Sequence, residues 1–339
     1  MSKNTLFPNK SSLQFRGKLL FIDRPLVMGI LNVTPDSFYP DSRVGFSAVS
    51  EGCSKEASIA EATRNDVVES RSYVPVGRSG TVLAVVDRAR RMMEEGVDIL
   101  DIGGCSTRPG AAAVPEQEEL ERVIPSVRAI KGAFPELLVS VDTWRASVAE
   151  QAVGEGADLI NDVSGGRIDP KLIETVIRLR VPYVLMHSRG TPENMAGLTQ
   201  YEDVVTEVVR ELSERAQILL DAGCSDLIID PGFGFAKTPV QGFRLLNHLD
   251  ALVRMGFPVL AGVSRKSMIT RTLSVQVDSS DALWGTLVLN TLALDRGAQI
   301  LRVHDVAPAV QAVRLWQKVR DNEFISNPER SAASTNSIK

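Results

Sequence analysis

Cysteine and histidine are both scarce here, with three of each in 339 residues. Cys53, Cys105 and Cys224 lie far apart and form no C-x-x-C pair. That excludes a zinc centre built on paired cysteines and fits a reducing compartment, with Cys224 read as a small buried hydrophobe. The chain also lacks any run of eighteen apolar residues, and its N-terminus, MSKNTLFPNKSS, has no apolar signal-peptide core. A membrane-spanning helix is therefore not expected, and a cytoplasmic location is. Nor is one sign of charge in excess: 38 basic residues stand against 42 acidic ones, a net charge of −4. Proteins of nucleic acids or membrane surfaces show a basic balance or face, so neither partner is expected.

What is present is a rhythm. From Leu26 onward, eight short apolar runs (LVMGILNV, DILDIGG, LLVSVDT, DLINDVSG, YVLMHS, LIIDPG, VLAGVS and QILRVHD) alternate with amphipathic stretches. The helical patterns fall near 116–133, 144–155, 170–179, 201–222, 240–254 and 281–296. Continuous apolar strands alternating with helices imply a parallel sheet covered on both faces. Eight such units over this length fit a closed (β/α)8 TIM barrel of the α/β class better than an open sheet. Before it, residues 13–23 (LQFRGKLLFID) read as a β-hairpin turning at Arg16-Gly17-Lys18. The organisation expected is an N-terminal extension and hairpin over 1–24, a barrel over 25–320, and an unstructured tail over 321–339. A polar, aperiodic segment at 42–79 interrupts the first strand and its helix; a connection that long is either a functional lid or disordered.

Each apolar run ends on polar side chains: Asn32, Asp101, Asp142, Asn161 with Asp162, His187, Asp230, Ser264 with Arg265 and Lys266, and Arg302 with His304. Any one of them, Asp101 and Asp162 above all, could be a helix N-cap. Eight in succession line a pocket at the barrel face where sites of this fold are built. Asp142, Asn161 and Asp230 suit a flat heterocycle with an N–H beside an amino group, because a carboxylate accepts two parallel hydrogen bonds. Arg108, Arg265, Lys266, Arg302 and His304 suit an anion, a phosphate or diphosphate. Lys266 is informative because it opens a helix, where the macrodipole disfavours a cation unless an anion shares the site. The amide of Asn32, beside such an anion, can support Mg2+.

These runs, read as the motifs GILNVTPDSF, DIGGxSTRPG, SVDT, INDVSGG, MHxRGTPxxM, DPGFGFxKT, GVSRKSMI and LRVHD, resemble the dihydropteroate synthases of the pterin-binding barrel family. The resemblance spans about residues 13–319, apart from 42–79. It implies a transferase of folate synthesis that joins (7,8-dihydropterin-6-yl)methyl diphosphate to 4-aminobenzoate, with release of diphosphate. It implies that Thr107, Asp142, Asn161, Met186, Asp230, Lys266, Arg302 and His304 bind the pterin diphosphate, with Met186 packing under the ring. Phe38, Thr107, Arg108, Pro109, Phe235, Lys266 and Ser267 would form the aminobenzoate side. Asn32 would hold Mg2+, and a homodimer through the late helices is implied as well.

The chain departs from the family pattern at three places. Cys105 stands where loop two usually has glutamate. Loop one reads D-S-F-Y-P-D-S-R, so that Asp41 would replace a loop aspartate one residue out of place. The insertion at 42–79 follows directly. A pterin-binding paralogue without turnover is the alternative these departures leave, and a methyltransferase of the same barrel family is disfavoured by the intact STRPG and SRK motifs.

Overall fold

A computed structural model of the chain describes residues 11–15, 17–33, 78–105 and 114–325. Two short strands open it, β1 (Ser11–Phe15) and β2 (Lys18–Ile22), paired antiparallel as the expected hairpin, with Gly17 at φ 78° in the turn. Then β3 (Leu26–Asn32), β4 (Ile99–Gly103), β5 (Leu138–Asp142), β6 (Leu159–Asp162), β7 (Tyr183–Met186), β8 (Leu227–Asp230), β9 (Leu260–Ala261) and β10 (Ile300–Val303) form one sheet. All neighbouring pairs are parallel, in the order β8-β7-β6-β5-β4-β3-β10-β9. A parallel bridge from Ile229 to Val259 joins the two ends, and the Ile229 N–H donates to Pro258 O at 2.8 Å. The eight strands thus close into a TIM barrel.

Helices α1 (Arg78–Glu95), α2 (Glu116–Ala133), α3 (Ala146–Gly154), α4 (Lys171–Leu179) and α5 (Val204–Asp221) cover the first part of the barrel. The second part carries α6 (Pro239–Asn247), α7 (Asp250–Val253), α8 (Ser267–Leu273), α9 (Ser280–Asp295) and α10 (Val306–Ile325). Branched aliphatic side chains make the strands suitable for burial on both faces. Val139, Val141, Ile160 and Leu301 pack outward against the helices, whereas Met28, Ile99, Leu159, Val184, Ile228, Leu260 and Ile300 fill the interior. Leu13 and Ile22 of the hairpin belong to that interior cluster and stopper the barrel floor. Each such side chain contributes about 2 kcal/mol on leaving water.

Two boundaries differ from the sequence expectation. The helix expected over 240–254 is two, because the chain breaks at His248 and buries Leu249 completely between them. The tail expected from 321 begins instead as helix: α10 runs to Ile325. No proline or glycine intervenes there, and just before it Arg320 lies over the Trp316 ring and 3.9 Å from Asp295. Of the segment 42–79 only Arg78 and Ser79 are described, as the start of α1; the rest lies outside the described residues, as does the tail beyond 325. No helix among the described residues is long and apolar enough to cross a membrane.

Candidate active site

Strand register sets the first row of the site. Asn32 pairs with Gly103, Gly103 with Asp142, and Asp142 with Asn161, so the ends of β3 to β6 stand side by side. Asp230 ends β8 opposite Met186 of β7. Met186 is buried with Cys105, Trp144 and Val163, and Phe235 packs against that group. An apolar wall therefore adjoins the polar row.

Arg302 reaches across this row. Its Nε donates to Asp101 Oδ2 at 2.6 Å and its Nη2 to Asp142 Oδ2 at 2.7 Å. Asn161 Nδ2 donates to the same Asp101 oxygen at 3.0 Å. Asp101, named from sequence as a possible helix cap, is instead a fully buried anchor for Arg302 and Asn161. The acidic and basic halves expected from the sequence are therefore one bonded cluster. Asp101 Oδ1 and Asp142 Oδ1 are buried with no donor among the described residues. A buried carboxylate oxygen without a donor costs free energy and marks a place for ligand N–H groups. Burial pushes the Asp142 carboxyl up to about 7 although Arg302 opposes it, and burial also raises Asp230.

Lys266 caps α8 from an extended conformation and donates to the Phe233 carbonyl, with its Nζ 4.6 Å from the centroid of the Phe235 ring. Burial lowers it to about 8. Ser267 follows it, exposed. His304 Nδ1 lies 3.0 Å from Ser264 Oγ, and burial together with the Arg302 cation lowers its imidazole to about 3, so it is neutral. Arg302 and His304 are half-buried while Leu301 and Val303 between and beside them are buried, as strand alternation requires.

Three strand-end residues serve the scaffold instead. Asp162 accepts from the backbone of Ser164 and Gly166 and from the Tyr183 hydroxyl at 2.6–2.7 Å. His187 is buried between Glu211 and Lys237. Arg265, expected to face an anion, is committed to both carboxylate oxygens of Asp305, at 2.8 and 3.0 Å, and to the carbonyls of Val277 and Ser279. A strand-end position in the sequence does not distinguish a side chain aimed into the mouth from one turned into the next loop. Phe38, Asp41, Thr107, Arg108 and Pro109 lie outside the described residues.

For Mg2+ the fit rests on Asn32. Its Oδ1 stands over Gly103, where an added Cβ would approach to 3.2 Å, so the glycine leaves the amide oxygen accessible. One protein oxygen beside a diphosphate is an ordinary arrangement for this cation. Among the described residues no cluster of three or more His, Cys, Asp or Glu side chains could hold a metal ion. A cation here would thus take most of its ligands from the diphosphate and water.

The model of the family described as pterin binding enzyme matches residues 72–304. A dihydropteroate synthase of Synechocystis is 38% identical over 300 residues, covering 87% of this chain and 91% of its own. Among solved structures, a Yersinia pestis dihydropteroate synthase in complex with a sulfonamide drug superposes with a TM-score of 0.76 at 34% identity, covering 92% of this chain and all of that one. A Xanthomonas albilineans dihydropteroate synthase with 4-aminobenzoic acid does so with a TM-score of 0.72 at 40% identity, covering 91% and 98%. With its barrel, its row of buried acids and these relatives, the chain belongs to the dihydropteroate synthase family of pterin-binding enzymes.

Proposed function

We propose that the chain condenses (7,8-dihydropterin-6-yl)methyl diphosphate with 4-aminobenzoate, releasing diphosphate and 7,8-dihydropteroate. The observation that carries this reading is the pair of buried oxygens on Asp101 and Asp142, without a donor among the described residues, beside the Arg302 cation. That pairing suits a molecule with N–H donors at one end and an anion at the other. Asp142 and Asp230 accept from the pterin ring, Asn161 offers its carbonyl oxygen, and Met186 packs against the ring face. Lys266, with Phe235 beneath it and Ser267 next to it, meets the aminobenzoate. Thr107, Arg108, Pro109 and Phe38 are assigned to that side as well, and Asp41 of loop one to stabilising the pterin cation.

In the reaction the bond from the pterin methylene to the diphosphate oxygen breaks and a bond to the arylamine nitrogen forms. The amine then gives its proton to solvent. Arg302 and His304 hold the departing diphosphate, and donors aimed at developing charge are the largest lever such a site has. Mg2+, when held at Asn32, supplies further positive charge to the leaving group. The arylamine is a neutral nucleophile already, so orientation by Lys266 and the Phe235 ring is enough.

The homodimer rests on α9 and α10. Trp284, Val288 and Leu292, spaced i, i+4, i+8, are 59%, 59% and 47% exposed, and Leu315 and Val319 are 71% and 64% exposed. An apolar stripe of that extent fits a second copy of the chain. The cytoplasmic placement rests on Cys105 and Cys224, both buried and neither in a disulfide. The deciding assay is diphosphate release from the pterin diphosphate with and without 4-aminobenzoate. Release that requires both substrates supports the reading; pterin binding without release leaves a binding protein.

A further inference from the structure

One buried cation has no part in the reaction as drawn. Lys237 ends the DPGFGFAK stretch after β8, is buried, and touches neither Asp230 nor Lys266 by hydrogen bond. Its Nζ lies 2.9 Å from His187 Nδ1, 3.0 Å from Phe235 O and 3.2 Å from Gly232 O, with His187 O at 3.4 Å. These carbonyls converge because Gly232, Gly234 and Ala236 all have positive φ (66°, 78° and 49°). A left-handed alanine is unfavourable without outside support.

The chemistry of each neighbour decides the proton positions. Arg189 donates to Glu211 and, at 2.9 Å, to Glu207. Glu211 lies 3.1 Å from His187 Nε2, and its bonds to His187 and Arg189 hold it down at about 2. An ionised Glu211 requires a hydrogen on Nε2. Burial keeps His187 neutral, at about 4, so Nδ1 is left with a lone pair. Lys237 then faces acceptors only, and the three N–H bonds of an ammonium match His187 Nδ1, Phe235 O and Gly232 O. A neutral amine would turn its own lone pair on one of them. Burial, with Lys266 as the nearby like charge, pulls the group down to about 7, while Asp230 and Glu211 oppose the fall.

The turn held in this way carries two features of the site on its outer side. The Phe233 carbonyl accepts from Lys266, and the Phe235 ring lies beneath the same ammonium. Asp230 is anchored at its backbone by the sheet, since its carbonyl accepts from the His187 N–H at 2.9 Å and it pairs with Met186; its carboxylate touches the turn only at its first residue, accepting from the Gly232 N–H at 2.7 Å. We infer that Lys237 is a positioning residue for the aminobenzoate side: it pins the 232–235 turn that sets Lys266 and Phe235, through a relay from Arg189, Glu211 and His187. The inference rests on the reaction proposed above.

The test compares wild type with Lys237→Met and Glu211→Gln. In the second variant Arg189 claims the amide oxygen, the NH2 faces His187 Nε2, and the ring shifts its hydrogen to Nδ1, against Lys237. Steady-state diphosphate release gives KM for aminobenzoate and kcat; calorimetry gives Kd for 6-hydroxymethyl-7,8-dihydropterin. We expect KM to rise about tenfold in both variants, with pterin Kd and kcat at saturating aminobenzoate within about threefold of wild type. If pterin Kd moves together with KM, or KM does not move, the inference is overturned while the reaction stands. If Lys237→Met does not fold, Glu211→Gln decides alone. Absence of aminobenzoate-dependent release in wild type overturns the reaction and this inference with it.

Discussion

Arg302 holds Asp101 and Asp142 at once because a guanidinium is a planar fork; a lysine offers one point of charge. Arg302→Lys should therefore fold but lower kcat/KM for the pterin diphosphate by about 100-fold. It should also weaken binding of bare pterin, by about tenfold, since Asp142 loses its orienting partner. Calorimetry with bare pterin separates this from a loss confined to the diphosphate. Asp142 makes a second prediction. Its carboxyl is raised to about 7 by burial, so below that pH it holds a proton and loses acceptor capacity. Pterin affinity should then fall as pH drops from 8 to 5.5, by at most about tenfold per unit. The stability sign is opposite: the folded state retains a proton the unfolded chain releases, so the contribution of Asp142 is greatest in acid and is lost as pH rises through 7. A flat affinity profile contradicts both statements. In the sequence, Asp142, Asp230, Arg302 and His304 were legible because they end apolar strands. Asp101 was not, since a strand-end aspartate is chemically the same whether it caps a helix or anchors a guanidinium. Lys237 was hidden too, because its position after a glycine-rich turn does not show that the carbonyls close around it.

The turn after β8 is the element on which the aminobenzoate side depends, and it tolerates little. Gly232 has φ 66°, and a Cβ there would stand 1.9 Å from the His187 carbonyl oxygen. Gly232→Ala should cost about 3 kcal/mol or more, because backbone on both sides has to move. Thermal unfolding measures it, and a Tm equal to that of wild type would contradict the geometry. Regular elements were the most readable part of the sequence. The pattern at 116–133 and α2 coincide: the helix begins after Pro115, buries Val123, Val127 and Ile130 at helical spacing, and ends before Phe134. The break at His248 was unreadable, because the 3.6-residue pattern continues through it and burial of Leu249 is a tertiary event.

At the scale of the molecule, alternation of apolar runs and helices was enough to recognise a closed barrel, since few other folds bury eight parallel strands on both faces. Association is less legible, because an exposed apolar helix face becomes visible only after the inward faces are known. Trp284→Glu, at the centre of the exposed stripe of α9, should convert the proposed dimer to a monomer in analytical ultracentrifugation while leaving the barrel folded. An unchanged sedimentation coefficient would exclude that face. The hairpin that stoppers the floor bears on how the protein is made. Leu13 and Ile22, near the start of the chain, find their neighbours in one layer with Met28, Ile99, Leu159, Val184, Ile228, Leu260 and Ile300. During translation these two side chains leave the ribosome first and wait for the last strand, so no shorter nascent length can seal the interior. The growing polypeptide must carry exposed apolar edges until Ile300 has emerged, and holdase chaperones will find their substrate in that interval.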